Sequence, residues 1–242
     1  MTFSYGGVSL KPSTDTGLGP VADATNVPAL LVPPSATAVL VVDVQNDFVD
    51  DRGRVGLSGS DMRPLQKAVG EINRLIAAAR ENGARVVYVV VEHGGRLDLP
   101  PYQARYARRG MTPEDTICHQ GTWGAQRYAG VLPPEQGEPQ LVKHGYDAFQ
   151  ISDLEATLRR WGVRTVVVTG VVTELCVRAT AFSAFEKGFF AVVPRESTAS
   201  LDPESARDAL SGIEQWYGDV IGLDDLIRTW AMGAQPRSSL TT

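Results

Sequence analysis

Two hydrophobic rhythms alternate along the chain. One is the unbroken run: "TAVLVVDV" at 37–44, "RVVYVVV" at 85–91, "RTVVVTG" at 164–170 and "FFAVVP" at 189–194. β-Branched runs without polar interruption are the pattern of strands covered on both faces. The other rhythm is helical. Over about 61–82, Leu65, Val69, Ile72, Leu75, Ile76 and Ala79 fall on one stripe, and Gly83 supplies the stop. Further helices are predicted over 152–162, 174–187 (ended by Gly188), 203–216 and about 223–231. Short strands are predicted at "QLVK" (140–143) and "DVIG" (219–222), and Gly170 is expected to begin the turn after the 164–170 strand. Strands alternating with helices predict an α/β fold: a three-layer α/β/α sandwich, Rossmann-like, around a central parallel sheet of about six strands. In such sheets ligands sit at the carboxyl ends of the strands.

Two regions break the rhythm. Residues 1–35 are rich in Pro, Gly, Ser and Thr and read as an irregular arm, on the surface or over a neighbouring subunit. The domain then runs over 36–232, with 233–242 expected to be a flexible tail. Residues 94–138 are polar and punctuated by Pro and Gly, and a stretch of that length is functional or carries short helices.

Composition narrows the function. The chain has 242 residues, 43% of them hydrophobic, and a formal net charge of −5. That suits one large domain and offers no basic footprint for nucleic acid. No apolar run approaches the ~20 residues of a membrane span, and the first residues lack a signal-peptide pattern. Two cysteines, Cys118 and Cys176, make no disulfide framework and point to a reducing cytoplasm. Three histidines (His93, His119, His144) without CxxC or HxxxH spacing give no dedicated zinc site, and no cofactor is expected. A nucleotide- or flavin-binding module is the alternative of a different class, but no GxGxxG or GxxxxGK[ST] follows any strand.

What stands at the carboxyl ends of the strands is chemical. Asp43 closes the first run, Lys143 closes "QLVK", and Cys176 follows "TVVVTG" in the first turn of a helix. An acid in an apolar strand is costly unless paired, and Lys143 offers the pairing charge. Thr173 is a candidate N-cap. Cys176 then lies where unpaired N–H groups and the helix dipole favour thiolate, and where the same N–H groups can hold an oxyanion. An acid beside the thiol can take its proton and return it to a leaving amine.

"TAVLVVDVQNDF", the lysine of "LVKHGYDAF" and "VVVTGVVTELCVRATAFSAFEKGF" together resemble the isochorismatase-like cysteine hydrolases over roughly residues 36–222. The resemblance implies an isochorismatase-like hydrolase fold and a catalytic triad of Asp43, Lys143 and Cys176. It also implies a cis peptide at Val171–Val172, and an oxyanion hole from the backbone N–H groups of Val172 and Cys176. It implies further a small amide, carbamoyl or ureido substrate, split with release of ammonia, and a homo-oligomer, dimer or tetramer. The ureidoacrylate and N-carbamoyl-amine branch looks nearest. The nicotinamidase branch carries an Asp-x-His…His…His metal site, where this chain has only Glu92 and His93. The vinyl-ether-cleaving isochorismatases typically lack the cysteine.

Candidate substrate contacts are Phe48, Trp123, Tyr146 and His93, with Phe149 following Lys143. Phe48 and Trp123 are expected to frame the pocket mouth. Arg105, Arg108 and Arg109 in "QARYARRG" either meet a substrate carboxylate or form a solvated face. Cys118 has no base nearby in sequence and is expected to be structural or exposed.

Overall fold

The computed structural model describes residues 4–5, 8–9, 32–96, 98–112 and 115–233. Most of the predicted arm and nearly all of the predicted tail therefore lie outside the described residues. Within the arm, Ser4–Tyr5 (β1) pairs antiparallel with Val8–Ser9 (β2).

The main sheet has seven strands, all parallel: Thr37–Val42 (β3), Arg85–Val91 (β4), Gln140–Lys143 (β5), Thr165–Val171 (β6), Phe190–Pro194 (β7), Thr198–Ala199 (β8) and Asp219–Ile221 (β9). Their order is β5-β4-β3-β6-β7-β9, with β8 beside the end of β6. β8 is the strand the hydrophobic pattern misses, because two residues carry no period. After β3 come two one-turn helices, Asn46–Val49 (α1) and Arg54–Leu57 (α2). The longest helix, Arg63–Asn82 (α3), ends at Gly83, whose φ of 78° is the left-handed stop that glycine adopts without a Cβ clash.

Side chains on β3 alternate between two cores. Val39 and Val41 enter a cluster with Leu65, Ile72 and Leu75 of α3 and with Leu226 and Trp230 of Leu223–Gly233 (α8). Ala38, Leu40 and Val42 enter the other. That second cluster is closed by Leu154 and Leu158 of Ser152–Arg160 (α5), Ala181 and Ala184 of Arg178–Glu186 (α6), and Ile213 of Pro203–Trp216 (α7). With apolar layers on both sides, every β3 position is buried, which is why its sequence reads as a continuous run rather than an alternation.

Gly170 lies inside β6, not in the turn expected after it. Its partners are Val42 and Thr198, and a Cβ there would sit 1.9 Å from the Val42 carbonyl oxygen. Glycine at this point lets the two central strands approach where the carboxyl rim begins.

Among the described residues the long polar stretch carries an α-helix, Pro100–Ala107 (α4), which has no buried residue. Among the described residues no helix is long and apolar enough to cross a membrane.

Candidate active site

β3 stops at Val42 because Asp43 turns to φ 55°, a left-handed conformation uncommon outside glycine. Its N–H still donates to Val89 O at 2.8 Å, so the residue is pinned to the sheet end as the chain leaves it. Lys143 is the last residue of β5 and registers with Val91 at the end of β4. Cys176 follows β6, in a one-turn π-helical segment, Thr173–Val177, that leads into α6. Parallel register thus delivers all three to one rim, from positions separated by more than thirty residues.

The three side chains meet. The Lys143 ammonium donates to Asp43 Oδ2 at 2.8 Å, to Gly145 O at 2.7 Å and to Cys176 Sγ at 3.5 Å. An ammonium has three donors, and these contacts use all of them. Asp43, Lys143 and Cys176 are 0%, 1% and 6% exposed. Asp43 Oδ1 is buried with no hydrogen-bond partner among the described residues.

Burial raises the Asp43 carboxyl above its ordinary value, while the Lys143 charge and the hydrogen bonds to Cys176 and Lys143 pull it back. Burial works against the Lys143 ammonium, but Asp43 and Cys176 outweigh it and hold the amine above its usual value. The Cys176 thiol is pushed well up, first by burial and then by the Asp43 charge. Burial and the Asp43 charge therefore favour the thiol, against the pull toward thiolate expected of a helix end. Thr173 is not the N-cap either. That position belongs to Val172, without a side-chain cap, and the Thr173 hydroxyl shares a hydrogen bond with Thr198 of β8 at 2.8 Å. The Val171–Val172 peptide is cis. Leu175 and Val177 donate their N–H groups to Val172 O at 3.2 and 3.3 Å, which closes the turn around the cysteine.

The residues after Asp43 fasten the rim. Gln45 donates to Val91 O at 2.8 Å and to Ala125 O at 2.7 Å, and accepts from Val91 N. Asn46 donates to Trp123 O at 2.8 Å. Asp47 accepts from the backbone N–H groups of Cys118 at 2.7 Å and Arg54 at 3.1 Å. A quoted "QNDF" therefore anchors the 118–126 loop to the sheet end. Sequence reasoning gave these side chains no role, although three adjacent buried polar residues demand partners.

The candidate substrate contacts divide. His93 is buried, with Nδ1 3.1 Å from Asp98, and its ring stacks on Tyr102 of α4 at 4.1 Å. Burial holds the imidazole below its ordinary value, against the pull of Asp98. Tyr146 lies edge-on to Tyr102 at 6.1 Å. Tyr102 thus joins His93 and Tyr146 in one aromatic group. No motif singled out Tyr102, but two prolines before it, at 100 and 101, mark a helix start that would have placed it.

Trp123, expected at the pocket mouth, is 41% exposed and lies under the Arg52 guanidinium at 4.9 Å. Phe48 packs half-buried against Val91, Cys118 and Ala125. Their contacts run to the 118–126 loop and to Arg52. Phe149 belongs to the core, stacked on Phe189 at 5.8 Å. Cys118 is buried, not exposed. Among the described residues no group of three His, Cys, Asp or Glu side chains is placed to hold a metal ion.

The isochorismatase domain model matches residues 37–225. The ureidoacrylate amidohydrolase RutB of Pseudomonas syringae pv. syringae is 31% identical, covering 93% of this chain and 98% of its own length. The solved N-carbamoylsarcosine amidase from Thermoplasma acidophilum is 28% identical, with a TM-score of 0.63 over 78% of this chain and 96% of that one. A cysteine hydrolase from Pseudomonas syringae pv. phaseolicola shares the fold at a TM-score of 0.74 and 22% identity, over 84% of this chain and 96% of its own. A domain match across most of the chain, on a sheet whose carboxyl rim carries the buried acid, lysine and cysteine, places this protein in the isochorismatase family.

Proposed function

We propose that the protein is a cysteine-dependent amidohydrolase that cleaves the C–N bond of a small ureido or carbamoyl compound and releases ammonia. One observation carries the reading: Lys143 bridges a buried acid and a buried thiol, so acid, base and nucleophile share one dry cluster. The names of the relatives, ureidoacrylate amidohydrolase and N-carbamoylsarcosine amidase, support the same substrate class.

In this scheme Asp43 Oδ1 accepts the Cys176 proton as sulfur attacks the carbonyl carbon, and Lys143 keeps the acid ionised until that moment. The N–H groups of Val172 and Cys176 serve as the oxyanion hole. Asp43 then gives the proton to the departing nitrogen, the C–N bond breaks, and ammonia leaves an acyl or carbamoyl group on sulfur. Water attacks that carbon, Asp43 takes a proton from it, and the proton returns to sulfur as the C–S bond breaks. No metal enters these steps. His93 and Tyr146, both in ring contact with Tyr102, serve as substrate contacts.

We take the protein to be a cytoplasmic homo-oligomer. Two free cysteines suit a reducing compartment. Exposed Leu175, Phe182, Phe185 and Trp216 give the 173–177 turn, α6 and α7 an apolar face of the kind that marks protein contacts. Quenching turnover of a ureide and weighing the protein should reveal an adduct on the peptide containing Cys176, with ammonia as co-product. Consumption of a vinyl ether with no ammonia and no adduct from any amide or ureide would overturn the reading.

A further inference from the structure

The loop after β5 touches the site through a backbone atom. Lys143 donates to Gly145 O at 2.7 Å, so the direction of the ammonium depends on where residues 144–147 lie. That loop is fastened on two sides. Toward β4, His144 Nδ1 lies 2.8 Å from Glu92 O, and Glu92 N donates to Lys143 O at 3.0 Å. Toward α6, Ala148 N donates to Thr180 Oγ1 at 3.2 Å, and Ser183 Oγ donates to Asp147 Oδ2 at 2.8 Å.

Cys176, Thr180 and Ser183 stand at i, i+4 and i+7, the spacing of one helix face. The face that follows from the nucleophile thus carries the two hydroxyls that hold the loop. Three contacts join the same two segments: Lys143 with Cys176 at 3.5 Å, Ala148 with Thr180, and Asp147 with Ser183. The other Asp147 oxygen accepts from Phe149 N at 2.8 Å and caps the one-turn 3-10 helix Ala148–Gln150. A cap needs one oxygen, and serine serves there about as well as aspartate. Capping leaves the second oxygen, turned to α6, without a reason.

We infer that Asp147, through Ser183, is a positioning residue: it locks the loop after β5 to α6, so that the Gly145 carbonyl holds the Lys143 ammonium between Asp43 and Cys176. It acts on the reacting groups only through Lys143. An ammonium that loses this carbonyl pulls less on the Asp43 carboxyl and on the Cys176 thiol, both of which its charge lowers. The other ionisable groups that interact with Asp43 are His93 and Cys118, and the variants below leave both in place. The inference rests on the amidohydrolase reading above for its turnover assay, and labelling of Cys176 tests it without that reading.

The test compares Asp147→Ser, Asp147→Asn and Ser183→Ala with the wild type, following ammonia from a small ureide and, separately, iodoacetamide labelling of Cys176. Asp147→Ser keeps an acceptor for Phe149 N but is too short to reach Ser183, and Ser183→Ala leaves the cap untouched. In both, kcat should fall about tenfold with KM within about twofold, a loss smaller than a full 1 Å misplacement causes. The acid limb of kcat/KM should move up by about half a pH unit, because Asp43 loses part of the Lys143 pull. Cys176 should label about threefold more slowly. Asp147→Asn can accept from Phe149 N and offer an N–H to Ser183 Oγ, so it should recover most of the rate and of the labelling. An acid limb and a labelling rate that stay put in Asp147→Ser and Ser183→Ala overturn the assignment and leave Asp147 a helix cap. Asp147→Asn as impaired as Asp147→Ser overturns it too. If the wild type releases ammonia from no ureide, the hydrolase reading fails, and the labelling rates alone decide this inference.

Discussion

The chain's two cysteines are both buried, and burial pushes both thiols up. Their neighbourhoods differ. Cys118 sits in the anchored loop at φ 51°, its N–H held by Asp47 and its sulfur 3.8 Å from the Gly124 carbonyl. Cys176 sits where three parallel strands end, with an ammonium at 3.5 Å and an acid beside it. A dry environment alone makes a cysteine inert. The same environment makes it a nucleophile when a base is buried with it, since the proton then has a short route to an acceptor that has been denied water.

The largest test of this contrast is removal of each sulfur. Cys176→Ala should lower kcat by more than about 10³-fold while the protein stays folded by circular dichroism. Cys118→Ala should leave kcat within a few-fold and reduce stability by about 1 kcal/mol in a urea titration. Equal loss in both would erase the distinction.

Asp43→Asn keeps the shape and removes the base. It should reduce kcat about 10²–10⁴-fold. It should also slow iodoacetamide labelling of Cys176, which in the wild type should outrun labelling of Cys118. Labelling followed by peptide mass spectrometry separates the two sites.

Lys143→Met should destabilise the fold by about 3–5 kcal/mol, because it leaves the Asp43 charge buried without a partner. The pH dependence follows from the same pair. The folded value of Lys143 is raised, so its contribution to stability is present below the ordinary 10.5 and is lost as pH rises through the higher folded value. Lys143→Met should lack that alkaline loss. Asp43 is raised above 3.8, so its ionisation works against stability and serves catalysis instead. The acid limb of kcat/KM should therefore lie above 3.8 and disappear in Asp43→Asn, as a stopped assay across pH would record.

The smallest effect should come from Arg52→Ala. It frees the Trp123 ring, a contact at an exposed site worth under about 1 kcal/mol. A change in KM greater than about threefold would place Trp123 at the substrate site.

Much of this molecule is legible in its residues. The runs at 37–42, 85–91 and 165–171 could be read as covered strands because burial on both faces leaves no polar position to confuse the pattern. The helix over 63–82 carried its stripe and its stop together. Asp43, Lys143 and Cys176 could be picked out because ionisable or reactive groups at the ends of apolar strands are rare and need a reason. Other features had no such signature. The π-helical turn at 173–177 and the two residues of β8 are too short for any period. α4 buries nothing, so it has no stripe, and Tyr102 takes its place through rings contributed by the segments after β4 and after β5.

By itself, the sequence determined the layers, the parallel sheet and which three side chains stand on its rim, since strand period and strand ends are local properties of the chain. The tertiary structure decided the rest. Protonation of Cys176 depends on how much water the packed cluster excludes, and the pairing of Lys143 with Asp43 depends on a register between strands a hundred residues apart. The meeting of His93, Tyr102 and Tyr146 depends on how loops fold back over the sheet. Those are distances across space, set by packing, and the order of residues along the chain does not encode them one by one.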